Sequence, residues 1–120
     1  MAEILHESVA VTGDPPGCLR IQHTQVHTDG VDMGGELVFD IAAAGWLADQ
    51  IDQAAEAWGF AEVDDVRGPD HFTIYVGGSD MQPFVHVHNQ RDPNAAEGRV
   101  YTLQMTVETA RSLAAGLRAA

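Results

Sequence analysis

His71-Phe72-Thr73-Ile74-Tyr75-Val76-Gly77-Gly78-Ser79-Asp80, followed after Met81-Gln82 by Pro83-Phe84-Val85-His86-Val87-His88-Asn89, decides the fold of this chain. Apolar and polar residues alternate from His71 to Val76 and again from Phe84 to Asn89. A period of two is that of a strand, whose successive side chains point to opposite faces. Phe72, Ile74, Val76, Val85 and Val87 are therefore expected inward. Thr73, Tyr75, Phe84, His86 and His88 are expected outward. Gly77-Gly78-Ser79-Asp80 joins strand to strand, so it reads as a hairpin turn and not as an anion-binding loop. Pro83 stands at a strand entrance, where its missing N–H interrupts no central ladder.

The same pattern recurs on either side. Arg99 to Met105 places Tyr101, Leu103 and Met105 inward, with Thr102 and Gln104 outward. Ile4 to Thr12 is a candidate first strand. Leu19 to His27 follows, with Leu19, Ile21, His23, Gln25 and His27 on one face, and Leu37, Phe39 and Ile41 mark a third strand. Breaks rich in Gly, Pro and Asp separate these segments, notably Gly13-Asp14-Pro15-Pro16-Gly17, Arg67-Gly68-Pro69-Asp70 and Asp92-Pro93-Asn94.

Two segments carry helical spacing instead. From about Ala42 to Trp58, the residues Leu47, Ile51, Ala54, Ala55 and Trp58 form an apolar stripe, and Asp40 is placed as N-cap. From Val107 to the C-terminus, Val107, Ala110, Leu113, Ala114 and Leu117 form another, with Thr106 as N-cap. The expected architecture is α+β: a mainly antiparallel sheet of about six strands with two helices on one face. It is one domain over residues 1–120. The order suggests a βββα-βββα pseudo-repeat, echoed at an offset of 63 residues by His23/His86, Asp29/Asp92 and Gly35/Gly98.

Composition narrows the function classes. The 120 residues include 18 acids, six arginines and no lysine, for a formal net charge of −12. Binding of nucleic acid or of an anionic membrane through phosphates needs a basic surface, so both are disfavoured. A basic protein partner, including one that processes nucleic acid, is compatible with this charge. Cys18 is the one cysteine, which excludes an internal disulfide and a zinc site of paired cysteines. The N-terminus has no basic start followed by an apolar stretch, so a cytoplasmic location is expected.

Three residue sets are candidates for function. The first is acidic: Asp49, Asp52 and Glu56 share a helix face, and Glu62, Asp64, Asp65 and Asp70 follow with Arg67 as the sole base. Such a ridge fits docking on a basic partner, with Asp49, Asp52, Glu56, Asp64 and Asp65 in contact. The second is the outward face of Tyr75, Phe84, His86 and His88, aromatic and charge-poor as interface cores are. Two helices cover only one side of such a sheet, so this face meets water, a second copy or a partner. The third is His86 and His88 as ligands of a divalent transition metal, since a His-x-His pair on a strand turns both imidazoles to one side. Asp92 or Glu97 would be a third ligand.

His86-Val87-His88-Asn89-Gln90-Arg91-Asp92 resembles the first motif of cupins, which implies a metal held by His86 and His88. The chain departs from that motif. Its acid is an aspartate, Gly78 lies too far upstream, and no second motif supplies a final histidine.

No His-Glu-x-x-His, Gly-x-x-x-x-Gly-Lys or Gly-x-Ser-x-Gly pattern occurs, and no catalytic residue is assigned. The leading expectation is a non-catalytic acidic protein-binding or inhibitor module, of immunity or anti-defence type, docking on a basic protein without a cofactor. The alternatives are a small metal-dependent enzyme or sensor, and a homodimeric ligand-binding domain built on the open sheet face.

Overall fold

A computed structural model describes residues 3–56, 59–79, 81–92 and 99–120. Within them, seven strands form two antiparallel sheets and two helices complete an α+β fold. The first sheet has the order β1 (Ile4–Thr12), β2 (Cys18–His27), β3 (Gly35–Asp40). The second has the order β4 (Val63–Arg67), β5 (Asp70–Gly78), β6 (Pro83–Arg91), β7 (Arg99–Thr106). Between the sheets in sequence comes a single 3-10 turn, Ile41–Ala43, running into α1 (Ala44–Glu56); α2 (Val107–Ala119) closes the chain.

Caps form as the residue types dictate. The Asp40 carboxylate accepts from the Ala42 amide at 2.9 Å, and the Thr106 hydroxyl accepts from the Thr109 amide at 3.3 Å. Each satisfies a donor that the first helical turn leaves free. Ile41, expected at the end of a strand, instead opens the 3-10 turn behind this cap. Trp58 of the expected apolar stripe and Asp80 of the hairpin turn lie outside the described residues.

Both helices lie on the inner side of the second sheet. Leu47, Ile51, Ala110, Leu113 and Leu117 meet Phe72, Ile74, Val85, Val87, Leu103 and Met105 in one core. Phe72 joins the layers, edge-on to Phe39 at 6.0 Å and tilted against Trp46 at 5.4 Å. Burying a side chain of this size contributes roughly 1.5–3 kcal/mol, so this cluster is the main favourable term. Strand β3 crosses the same inner side: Gly35 lies beside Thr102 of β7, the Val38 carbonyl meets Asn89 of β6, and the Asp40 amide meets Asp70 of β5.

Three expectations are corrected. A seventh strand, β4, occupies part of the stretch read as an acidic run, paired with β5 from Val63↔Ile74 to Arg67↔Asp70. It is an edge strand, and charged side chains are tolerated there because they discourage further pairing. The strands also divide into two sheets instead of one. Finally, the expected βββα-βββα order is instead three strands and a helix followed by four strands and a helix, and the residue echo does not hold. His23 is buried on the inner side of β2, whereas His86 faces outward on β6. Residues related by that offset therefore do not occupy equivalent positions in the two sheets.

Candidate functional site

Among the described residues, no helix covers the outer side of the second sheet. Register places Asp64 and Val66 of β4 beside His71, Thr73 and Tyr75 of β5 on that side. Phe84, His86, His88 and Gln90 of β6 and Val100, Thr102 and Gln104 of β7 continue it. Tyr75, Phe84, His86 and His88 thus share one face, as the alternation predicts. Asp64 is the one formally charged residue among these strand positions, and it bonds to the His71 ring.

At the centre stands an ordered ring cluster. The Tyr75 ring stacks on His86 with centroids 4.4 Å apart and planes 7° from parallel. It also lies 11° from parallel to His88, at 5.6 Å. His86 is the direct cross-strand partner of Tyr75, and His88 is the diagonal one. Such pairs lie close enough for rings to touch. Gly77 leaves room for this arrangement: a Cβ there would stand 2.7 Å from His86 Nε2. His88 Nδ1 lies 3.1 Å from the Thr102 hydroxyl, and its Nε2 lies 3.4 Å from that of Tyr75. Burial, and secondarily the neighbouring His88, lowers the pKa of His86, which favours its neutral form.

Two grooves mark this face. A groove of about 320 Å³ runs between His71, Tyr75, His88 and Val100. A larger one, about 850 Å³, opens where Phe84 and Gln104 meet Ile4 and His27 of the first sheet. Val66 and Val100 stand exposed at the margins, 60% and 67% accessible.

The geometry bears on the metal reading. His86 and His88 do face the same side, but both ring nitrogens of His88 already lie near hydroxyls. Asp92 lines a different pocket, with Arg91 and Arg99, and Glu97 lies outside the described residues. Among the described residues, no group of three or more His, Cys, Asp or Glu side chains could hold a metal ion.

The acidic set is dispersed and largely partnered. Arg118 of α2 reaches both Asp49, at 2.9 Å, and Asp52. Asp65 pairs with Arg67 at 3.0 Å, and Asp64 with His71. Glu56 and Glu62 are exposed. Asp70 is not on the surface at all. It is fully buried, accepting from Asn89 at 3.0 Å, from Arg91 at 2.8 Å and from the Asp40 amide at 2.8 Å. An unpaired ridge of carboxylates is therefore replaced by a helix face clamped by Arg118 and a separate edge strand.

Sequence reasoning gave no role to Glu7, which proves central to the scaffold. Its side chain, 7% exposed, accepts from His23 Nε2 at 2.9 Å and Gln25 Nε2 at 2.7 Å. It also accepts from the hydroxyls of Thr106 and Thr109 at the start of α2. Burial alone would raise the Glu7 pKa. The hydrogen bonds from His23, Thr106, Thr109 and Gln25 outweigh it and bring the carboxyl to about 2. The opposite ring nitrogen of His23, Nδ1, is buried without a partner. Arg91, far from Cys18 in sequence, stands 3.2 Å from its sulfur. These partners are 16 to 102 residues apart, beyond any local signal.

Comparison with protein-family models finds no match, and neither does comparison with curated proteins. None of the described helices is long and apolar enough to cross a membrane.

Proposed function

We propose that this chain is a non-catalytic binding module, of inhibitor or immunity type, that presents the open face of its second sheet to a basic protein partner. The ring cluster of Tyr75, His86 and His88 carries this reading. Aromatic side chains already held in stacked positions lose little freedom on binding and supply large contact area. Around them the face has almost no formal charge, the composition of an interface core rather than of a solvated surface.

Net charge selects among occupants. Two copies at −12 each repel, so a second copy is disfavoured relative to a cationic protein. Nucleic acid would meet no arginine among the strand positions of this face. The acids of α1 and β4 then act at long range, raising the association rate without forming the contact.

The test is a photo-crosslinking residue placed at Thr73 and, as control, at Ser112 on α2. A basic protein trapped from the native host at Thr73 alone is then purified and titrated. Tyr75→Ala and His88→Ala are expected to weaken that complex at least about tenfold, roughly 1.4 kcal/mol. Unchanged affinity, or equal trapping at Ser112, rejects the reading. Light scattering showing a dimer closed over Tyr75 would replace the partner by a second copy.

A further inference from the structure

The chain has six arginines and no lysine, yet three of those arginines line one pocket. The pocket lies where β2 and β3 meet β6 and β7, with a volume of about 300 Å³. Arg20, Arg91 and Arg99 line it together with Val38 and Tyr101. In a protein of net charge −12, this convergence requires a physical reason.

Register sharpens the point. Arg91 and Arg99 are direct cross-strand partners on β6 and β7. Like charges directly opposite one another destabilise a sheet. The Arg91 charge is fixed from behind by Asp70, on one guanidinium nitrogen, while the other meets Cys18. Among the described residues, Arg99 has no ion pair and Asp92 is the one acid on the lining. Asp70 and Glu36 offset Arg91 and Arg20, so Arg99 is the guanidinium at the wall with no counter-ion among the described residues.

Arg20 adds an unused donor. Its Nη1 bonds Glu36 at 2.6 Å, but its Nε is buried without a hydrogen-bond partner. The Asp14 carboxylate lies 3.8 Å from that nitrogen, too far for a hydrogen bond. A shut-in charged donor lacking an acceptor is unfavourable. That nitrogen is closed to a ligand as well, so the donor Arg20 can offer the pocket is Nη2, which makes no hydrogen bond among the described residues; guanidinium groups match carboxylate and phosphate oxygens in pairs.

We propose that this pocket binds a small oxyanion, a phosphate or a short carboxylate, held between Arg91 and Arg99 with Arg20 as third donor. The volume suits a ligand of that size, since it stands at the lower limit of small-molecule pockets. Val38 and Tyr101 leave an apolar wall for a short carbon chain. The site lies on the inner side of the second sheet, away from Tyr75, so it stands or falls independently of the proposed docking face.

Calorimetric titration at fixed ionic strength tests it, with inorganic phosphate in one arm and succinate in the other. At least one is expected to bind with Kd below about 1 mM. Phosphate alone marks a phosphate-bearing ligand, and succinate alone marks a carboxylate. Arg99→Gln, at an exposed position, is expected to weaken that binding at least about tenfold. Arg111→Gln on α2 should leave it unchanged. No saturation of either ligand by about 50 mM, far weaker than a built site gives, overturns the proposal. So does equal loss of binding in the two variants.

Discussion

The two sides of the second sheet are made by the same strands, residue by alternate residue, and they have opposite fates. Inward, Phe72, Ile74, Val85, Val87 and Met105 are completely buried under two helices and a crossing strand. Outward, Thr73, Tyr75, His86 and His88 are half-buried, touching mainly one another. Each side also holds a carboxylate, and the contrast between these is the more instructive. Asp70 on the inside has every partner supplied by the protein. Asp64 on the outside shares only His71 and water. A formal charge thus says little until its side of the sheet is known. The inner acid is part of the scaffold, and the outer one stands on the side that neither helix covers.

The largest expected effect breaks the inner side. Asp70→Ala would leave Arg91 without its counter-ion, and the Asn89 amide and the Asp40 N–H short of an acceptor. Removing one member of a buried ion pair costs about 3–5 kcal/mol. The melting temperature should therefore fall by roughly 10 °C or more. Thr73→Ala, on the outer side of the same strand, should cost less than about 1 kcal/mol. Comparable losses in the two variants would abolish the distinction between the sides.

A second measurement concerns the closure of the inner side at β7, where Glu7 ties β1 to the start of α2. Its pKa in the folded chain is about 2, against an ordinary value of 4.5. The unfolded chain takes up this proton first as pH falls. The stabilisation is therefore complete above about pH 4.5 and is lost as pH falls through 2. A shift of that size corresponds to about 3 kcal/mol. Glu7→Gln should remove most of it at neutral pH and flatten the melting profile between pH 5 and 2 relative to the parent. Parallel acid profiles for the two proteins would show that the carboxylate is not what holds the seam.

Much of this organisation is legible in the residues. The alternation in Phe72–Val76, Phe84–Asn89 and Tyr101–Met105 assigns inner and outer sides, because a strand has no other way to place them. Asp40 and Thr106 announce their helices through short polar side chains that accept from free amides. What escapes is whatever depends on pairing at a distance. Val63-Asp64-Asp65-Val66-Arg67 does not alternate, and it becomes a strand only because β5 offers it an edge. The division into two sheets is equally invisible, since β3 crosses β7 without a ladder between them. The confrontation of Arg91 with Arg99 needs the hairpin register, which the intervening residues do not reveal. Glu7 looks like any strand glutamate until Thr106 and Thr109 arrive from the other end of the chain.

The smallest expected effect belongs to α1. Asp49 and Asp52 are bound to Arg118, and exposed pairs of this kind contribute little. Converting both to asparagine loses that pairing but also reduces the net charge from −12 to −10, and relief of self-repulsion offsets the loss. The melting temperature should move by less than about 3 °C in either direction. In the proposed complex, the double variant should slow association modestly, within about threefold, and leave dissociation unchanged, as remote charges do. Tyr75→Ala should do the reverse, speeding dissociation at unchanged association. If the asparagine variant instead accelerates dissociation tenfold, these carboxylates lie inside the contact. The docking surface then belongs to α1, and the aromatic side of the sheet is the bystander.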